Sequence, residues 1–434
     1  MRKTALFSAL IVYISISCDV FAQVNSVTGA ETALGDRVNT ITTAVPFMTI
    51  TPDARHGAMG DAGAATSPDM YANYWNPAKL AFNPEELSFG MSYTPWLRNL
   101  VSDIDLSQVT GSYKIDEMSA IGASFTYFSL GQIQFTDEFG NDIIQFRPNE
   151  WAFQGNYSRK LSDRLSAGIG LKFIYSNLTG GIDVLSAETR PGLAAAADVS
   201  VYYENEDWQL GDNKATFAFG AVIANIGNKM SYSNIDQQDF LPMNLRFGPR
   251  LTLHLDDYNE LSFHFDLNKL LVPTPPFYDG DTDSDNFGQV VAGNDPNATS
   301  VAGAVFSSFY DAPGNPLTNE QGEFLRDENG MYRVEDGSRL REELREFYGG
   351  VGVEYWYDKL LAARLGYFAE HALKGNRKYM TFGVGLRYNI LGFDMSYLVP
   401  FYVGTQRTIV NSPLANTLRV TLSLDFSKIG NKDS

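Results

Sequence analysis

Apolar and polar residues alternate one for one along most of this chain. In TLRVTLSLDF, residues 417–426, Leu418, Val420, Leu422, Leu424 and Phe426 share one parity, while Arg419, Thr421, Ser423 and Asp425 share the other. LSFGMSY sets Leu87, Phe89, Met91 and Tyr93 against Ser88, Gly90 and Ser92, and the pattern recurs at 165–175 and 380–388. Successive side chains of a strand point to opposite faces, so a period of two gives each strand one greasy side and one polar side. The pattern predicts fourteen strands, near 87–96, 106–115, 118–129, 150–160, 164–176, 193–204, 215–226, 243–254, 259–268, 347–358, 360–370, 379–390, 393–402 and 416–427. Each approaches the length a tilted strand needs to cross a bilayer, whereas soluble strands typically have about five or six residues.

The polar parity also carries charge. Arg246, Arg250, His254, His264, Asp266, Arg387 and Arg419 all fall on it. A charge facing lipid at the bilayer midplane costs roughly 2–4 kcal/mol, and a lumen imposes no such penalty. The apolar parity is therefore expected to meet lipid and these seven residues to line a polar lumen, where His254 and His264 could meet beside Arg246, Arg250 and Asp266. Closing the sheet removes unpaired edges that hydrocarbon cannot satisfy. The fold class expected is all-β: a transmembrane outer-membrane antiparallel β-barrel of about fourteen strands with an N-terminal hatch or plug.

The connections fall into two classes. Brief links (DE, LSD, DDY, DK, LG) follow the second, fourth, eighth, tenth and twelfth strands, and long ones follow the third, fifth, seventh, ninth and thirteenth. Short turns at one end and long loops at the other are how outer-membrane barrels are built. NEDWQLGDNK, between the sixth and seventh strands, is a moderate exception. An even strand count puts both termini on the short-turn side, so the long loops are expected outside the cell.

Composition agrees with strands. Among 434 residues there are 23 Tyr, 29 Phe and 38 Gly, and the mean hydropathy is −0.18, against a multi-pass helical protein. At the amino terminus Arg2 and Lys3 precede ALFSALIVYISIS, and Val20 and Ala22 stand before a cut at Gln23, so residues 1–22 read as a secretory signal peptide. Cys18, the only cysteine, lies within this leader after SIS, which is unlike a lipidation site. A mature chain without thiols has no disulfide, thiolate metal site or cysteine nucleophile.

Residues 23–86 break the rhythm and contain RHGAMGDAGAATSPDMYANYWNPAKLAF. Gly60 and Gly63 permit close backbone approach, and Pro77 pushes Asn76 into an extended or turn conformation. A solvated linker is the plain alternative, and it would waste the tryptophan and tyrosines. AMGDAGAATSPD followed by YWNPAKLA resembles the N-terminal hatch of the FadL family of outer-membrane proteins, whose amino-terminal region folds into the lumen. Within that family, ARHGAMGDAG and YWNPA resemble the PorV barrels of the type IX secretion system. The resemblance covers the mature chain in length and strand count, with specific motifs only in the hatch. It implies that Met59, Gly60, Asp61, Gly63, Trp75, Asn76, Pro77 and Ala78 are plug residues and that residues 87–434 form the barrel. It also implies docking at an SprA-type translocon, receipt of cargo through C-terminal signal domains, and delivery to a PorU-type attachment complex.

One segment stands apart from both. Residues 269–346 separate the ninth and tenth strands, and from 272 to 345 there are 14 acidic residues and 5 arginines, half of the chain's net charge of −18. Its first part is Pro-rich and polar, and a short surface helix is expected after Ser338. Such an acidic extracellular loop suits a protein partner or lipopolysaccharide. Asp279, Asp281, Asp283 and Asp285 alternate as in a calcium loop, but Asn286 replaces the turn glycine and Ala292 the closing glutamate, so no metal is assigned.

Other chemistry is disfavoured. The four histidines lack partners at metal spacing, no Gly-x-Ser-x-Gly element or phosphate loop occurs, and the negative charge repels nucleic acid. No enzyme and no cofactor are expected. Three functions remain: an export-machine component, a FadL-like channel for hydrophobic small molecules, and an adhesive barrel. A partner-binding barrel needs apolar anchors on polar loops. Ile182, Val184 and Leu185 in one loop, and Tyr232, Ile235, Phe240 and Leu241 in another, are the candidates, although Phe240 and Leu241 could equally pack over the rim.

Overall fold

The computed structural model describes residues 38–136, 142–181, 189–233, 238–279, 287–321, 323–400 and 413–426. The expected leader at residues 1–22, together with Ile182, Val184, Leu185, Ile235, Asp281, Asp283 and Asp285, lies outside these residues. Fourteen antiparallel strands close into a barrel: β1 Leu87–Pro95, β2 Ile104–Lys114, β3 Ser119–Leu130, β4 Asn149–Ser162, β5 Leu165–Asn177, β6 Gly192–Leu210, β7 Asn213–Gly227, β8 Asn244–His254, β9 Asn259–Leu270, β10 Tyr348–Tyr357, β11 Leu361–Ala369, β12 Lys378–Tyr388, β13 Leu391–Pro400 and β14 Thr417–Asp425. Sequence neighbours pair throughout, and the ring closes where β1 meets β14, with Ser88 opposite Asp425 and Tyr93 opposite Val420.

Each alternating segment of the sequence falls in one of these strands, and parity decides burial. Leu418 and Leu422 are exposed on the outer wall while Arg419 and Thr421 between them are buried. The link between β6 and β7 is no exception after all. Both strands run on past the wall, leaving Gly211 and Asp212 as the turn, with Gly211 at φ +65°.

The segment ahead of β1 threads the barrel interior. It contains α1 Ala54–Gly57 and α2 Ala72–Trp75, with 3-10 turns at Pro46–Thr49 and Pro77–Phe82. Asp53 caps α1 by accepting from the His56 backbone N–H at 3.0 Å, and Asn76 accepts from the Ala78 N–H at 3.1 Å ahead of the turn that Pro77 opens. From Thr51 to Asp61 and on to Phe82, most of these residues are buried, because barrel walls surround them.

The described parts of the acidic loop are folded. They form α3 Val301–Ser307, α4 Ser338–Arg345 and a small ladder between Phe277–Tyr278 and Val290–Ala292. Ala304 of α3 joins Phe240, Met243, Leu271 and Val272 in one buried cluster at the long-loop rim. The helix expected after Ser338 is present, but it is only half a surface element: Glu342 and Glu343 are buried.

Candidate functional site

The plug seats against the inner wall by close backbone contact. A Cβ on Gly366 would lie 2.0 Å from the Gly60 N, one on Gly220 would lie 2.0 Å from the Ala64 O, and one on Gly168 would lie 2.4 Å from the Ala78 N. These wall positions accept no side chain without displacing the plug. The plug residues carried over from the hatch motif all lie in this interface. Met59 is fully buried, the Gly60 N–H donates to Thr381 Oγ1 at 2.9 Å, and Gly63 abuts the Trp75 ring. Asp61, at φ +58°, accepts from the Tyr379 hydroxyl. Asn76 Nδ2 donates to Ala64 O at 2.9 Å and Val201 O at 3.1 Å, and the Ala78 N–H donates to Ser200 Oγ at 3.0 Å beside the buried Pro77.

Inside the plug, hydrogen bonds run in series. The Asp53 carboxylate meets His56 Nδ1 at 2.7 Å and accepts from Trp75 Nε1 at 2.7 Å. His56 Nε2 meets Thr66 Oγ1 at 2.9 Å, and Lys79 Nζ donates to Thr66 Oγ1 at 2.7 Å and to Gly63 O at 2.9 Å. Burial alone would raise the Asp53 carboxyl, but the His56 charge and hydrogen bonds from His56 and Trp75 overcome it and hold the group at about 2. Burial pushes the Lys79 ammonium down to about 7. An Asp, His and hydroxyl in this order are the parts of a nucleophilic triad, yet Asp53, His56, Thr66 and Lys79 are all sealed from solvent. Here they order the plug.

A buried ionic cluster ties plug to wall. Glu354 on β10 receives Arg55 Nε at 3.0 Å and Nη2 at 2.8 Å from α1, together with Arg364 Nε at 2.7 Å from β11. Arg55 reaches on to Asp69 at 2.7 Å, and Arg364 to Asp394 at 2.7 Å. Arg55 grips both carboxylate oxygens as a fork and Arg364 adds a single Nε bond while turning Nη1 to Asp394, so each buried charge has an opposite partner. Asp266 on β9 accepts from the Gly63 and Ala64 N–H groups at 2.7 and 2.8 Å, fixing the next turn of the plug.

The predicted lumen residues all face the interior, with one correction. Arg246 lies 4.4 Å from the Trp75 ring centre and donates to Trp75 O, Arg250 pairs with Glu204, Arg387 pairs with Asp394 at 2.7 Å, and Arg419 lies 3.9 Å from Asp61. His254 and His264 do not meet. Register puts Arg250 opposite His264 and Glu260 opposite His254, so the histidines sit one full pleat repeat and more apart along the wall. His254 pairs with Glu260 at 3.2 Å near the short turns, whereas neither ring nitrogen of the buried His264 has a partner among the described residues.

The expected loop anchors need correction too. Phe240 and Leu241 are buried, the Phe240 carbonyl accepts from the Ala44 N–H at 2.9 Å, and Leu241 packs with Val45 and Phe47 of the plug segment. Tyr232 is half-buried and donates to Ser176 Oγ at 3.0 Å. The loop turns inward because its apolar side chains find the plug's leading segment before they find solvent. Asp279 likewise serves Arg326, at 2.7 Å.

Sequence reasoning overlooked Arg55, Glu354, Arg364, Asp394, Asp53 and Lys79. The signal was present for three of them: Glu354 in VGVEYWY, Arg364 in LAARLGYF and Asp394 in LGFDMSY are charges on the polar parity of their strands. What alternation cannot supply is which strand faces which across a lumen. Between plug and wall, a cavity of about 230 Å³ opens beside Arg55, Asp69, Trp356 and Arg387 near the short turns, and one of about 40 Å³ lies beside Trp75, Arg246 and Arg377 toward the long loops.

Comparison with known proteins adds a family. The family model for "Type IX secretion system protein PorV" matches residues 33–277, which take in the plug and β1–β9. No curated protein matches the chain. Among solved structures, the Pseudomonas putida toluene transporter TodX is similar at 11% identity and a TM-score of 0.44, covering 89% of this chain and 98% of its own. A Pseudomonas aeruginosa FadL homologue is similar at 12% identity and a TM-score of 0.43, covering 89% and 99%.

Proposed function

Because this chain belongs to the PorV family of the type IX secretion system, we propose that it is an outer-membrane barrel that docks at an SprA-type translocon. In this reading it receives exported proteins through their C-terminal signal domains and hands them to a PorU-type attachment complex. The family match over the plug and nine strands carries the proposal. The long-loop rim then faces the cell exterior and the short turns face the periplasm.

The plugged interior supports binding and delivery over conduction. Gly168, Gly220 and Gly366 admit the plug backbone so closely that nothing else fits between, and the Arg55–Glu354–Arg364 cluster holds it there. A channel releasing ligands sideways needs a break in the wall beside the plug; β3 pairs with β2 and β4 along nearly its whole length, and the ladder lapses near the plug, at Gly248–Pro249 between β8 and β9 and at Asp198 between β6 and β7, span only one or two residues.

Affinity purification from gently solubilised outer membranes tests the proposal. Recovery of a very large outer-membrane companion supports it. Bound lipid without such a companion favours a FadL-like channel, and recovery of neither favours an adhesive barrel. Replacing Phe240 and Leu241 is not a useful probe of docking, because their burial makes any such change a packing defect.

A further inference from the structure

The outer wall carries aromatic residues near its long-loop rim, among them Tyr93, Trp151, Tyr175, Tyr367 and Tyr397. Such girdles mark the membrane interface of outer-membrane barrels. The girdle is discontinuous: Ser107 and Val420 stand opposite Tyr93, Met380 opposite Tyr367 and Leu193 opposite Tyr175, and β7–β9 form another of its gaps. At the same level of β7, β8 and β9 the outward positions are Ile223, Leu245 and Lys269, as the cross-strand pairs Leu245–Ile223 and Leu245–Lys269 fix.

Lys269 should be an exposed cation on an apolar wall, yet it is fully buried. Two parts of the folded acidic loop converge on it. Glu343 of α4 receives its ammonium at 3.0 Å, and the ring of Phe309, just past α3, lies 5.6 Å away. The α3 side of the loop domain therefore covers the outer wall at β7–β9, where Val301, Ala304 and Val305 pack with Ile223 and Leu245, while Glu342 of α4 also receives Asn39 Nδ2 of the segment leading into the plug at 3.0 Å. Phe306 and Tyr310 are 72% and 69% exposed, and α4 shows Leu340, between Arg339 and Arg341, and Leu344 one turn on, both also largely exposed. α4 turns Glu342 and Glu343 inward and presents Leu340 and Leu344 outward with Arg339 and Arg341, beside the exposed Glu335 and Asp336, with Arg341 3.4 Å from Glu335. An apolar stripe edged by cations is the composition that settles at a lipid interface.

Resting on the outer-membrane orientation above, we propose that α3 and α4 form a foot on the outer leaflet. Phe306, Tyr310, Leu340 and Leu344 meet lipid acyl chains, Arg339 and Arg341 meet lipid phosphates, and aromatic contact with the interface is thereby extended over β7–β9. The occupant is lipid because this surface continues the lipid-facing wall across β7–β9.

Site-directed spin labelling tests it in the full chain, whose only native cysteine, Cys18, lies in the leader. Labels at Phe306→Cys and Leu344→Cys are compared, in vesicles containing phosphatidylglycerol, with Leu171→Cys on the exposed outer wall and Glu328→Cys in an exposed turn of the loop. Collision with oxygen reports lipid, and collision with a water-soluble nickel chelate reports solvent. The expected result is an oxygen-to-nickel ratio at Phe306 and Leu344 well above that at Glu328 and below that at Leu171, which lies at the middle of β5. A ratio like that of Glu328 overturns the proposal, and so does shielding from both reagents, which would mean a protein contact. If Leu171 itself reads as aqueous, the barrel orientation fails and not merely the foot.

Discussion

The plug and the long-loop domain both bury carboxylates, and they hold them differently. Where the plug meets the wall, Glu354 of β10 is gripped by the Arg55 guanidinium fork and by Arg364 Nε, and the surrounding wall glycines leave the plug backbone no room to shift. In the loop domain, Glu342, Glu343 and Glu346 are held by lysines: Lys269 reaches Glu343 and Glu346, and Lys374 reaches Glu342 at 2.8 Å and Glu346 at 3.0 Å. An ammonium on a flexible stem imposes little angular restraint, whereas a planar guanidinium does. The plug is thus built for one position, and the loop domain is a charged latch that tolerates adjustment. Steric closure suits a seal. Ionic closure suits an element meeting partners or membrane.

Breaking the rigid side of this contrast carries the largest effect. Glu354→Ala leaves Arg55 and Arg364 buried beside each other without their shared carboxylate, a loss expected to cost roughly 3–5 kcal/mol of plug stability. Amide exchange across residues 53–66 should accelerate accordingly while the barrel strands stay protected. Uniform loss of protection across plug and strands would mean that plug and wall unfold as one unit. Next comes Gly366→Ala, whose new methyl would lie 2.0 Å from the Gly60 N. Overpacking of about 3 kcal/mol is expected. Single-channel recordings should show openings absent from the native protein, and a silent, fully protected variant would refute a sterically seated plug.

Legibility followed the same division. The barrel could be read because alternation is a local property: Arg419 and Leu418 declare their faces without knowledge of any neighbour. The plug was legible as a departure from that rhythm, and its motif residues do lie against the wall. Its clamps were not legible, since Arg55 and Glu354 are 299 residues apart and meet only across a closed lumen. Phe240 and Leu241 misled for a related reason. An apolar pair in a polar loop reads the same whether it awaits a partner or covers the plug's entry at Val45 and Phe47. The acidic loop was legible only in part: the helix after Ser338 was expected, but the burial of Glu342 and Glu343 depends on lysines from β9 and from the β11–β12 loop that local charge density does not reveal.

On the flexible side, smaller effects are expected. Lys269→Met removes one cation, but Lys374 and the Thr274 hydroxyl still reach Glu346, and the Ala312 N–H still reaches Glu343 at 2.8 Å. A cost of roughly 2 kcal/mol follows, below that of a buried carboxylate group left with no partner. Limited proteolysis should cut the loop domain faster, with the plug unaffected. If the plug also loosens, the two regions are coupled and the contrast between them is weaker than drawn.

The smallest effect sharpens the contrast by pH. Burial pushes the Asp311 carboxyl up to about 6, and the nearby Glu343 and Glu346 add to the shift against the hydrogen bond from the Thr274 N–H. Burial raises Glu343 as well. The folded domain therefore binds the Asp311 proton more tightly than the unfolded chain, whose group titrates near 3.8. Stability is highest when both states are protonated, declines as pH rises from about 3.8 to 6, and levels off above. After correction for intrinsic exchange rates, amides of the loop domain, Thr274 among them, should be better protected at acidic pH within that window than at neutral pH. Asp311→Asn keeps an oxygen to accept from Thr274 and removes the titration, so the pH dependence should flatten to the residue contributed by Glu343. An unchanged or inverted profile would take Asp311 out of the latch and leave the lysine-held glutamates as its only pH-sensitive part.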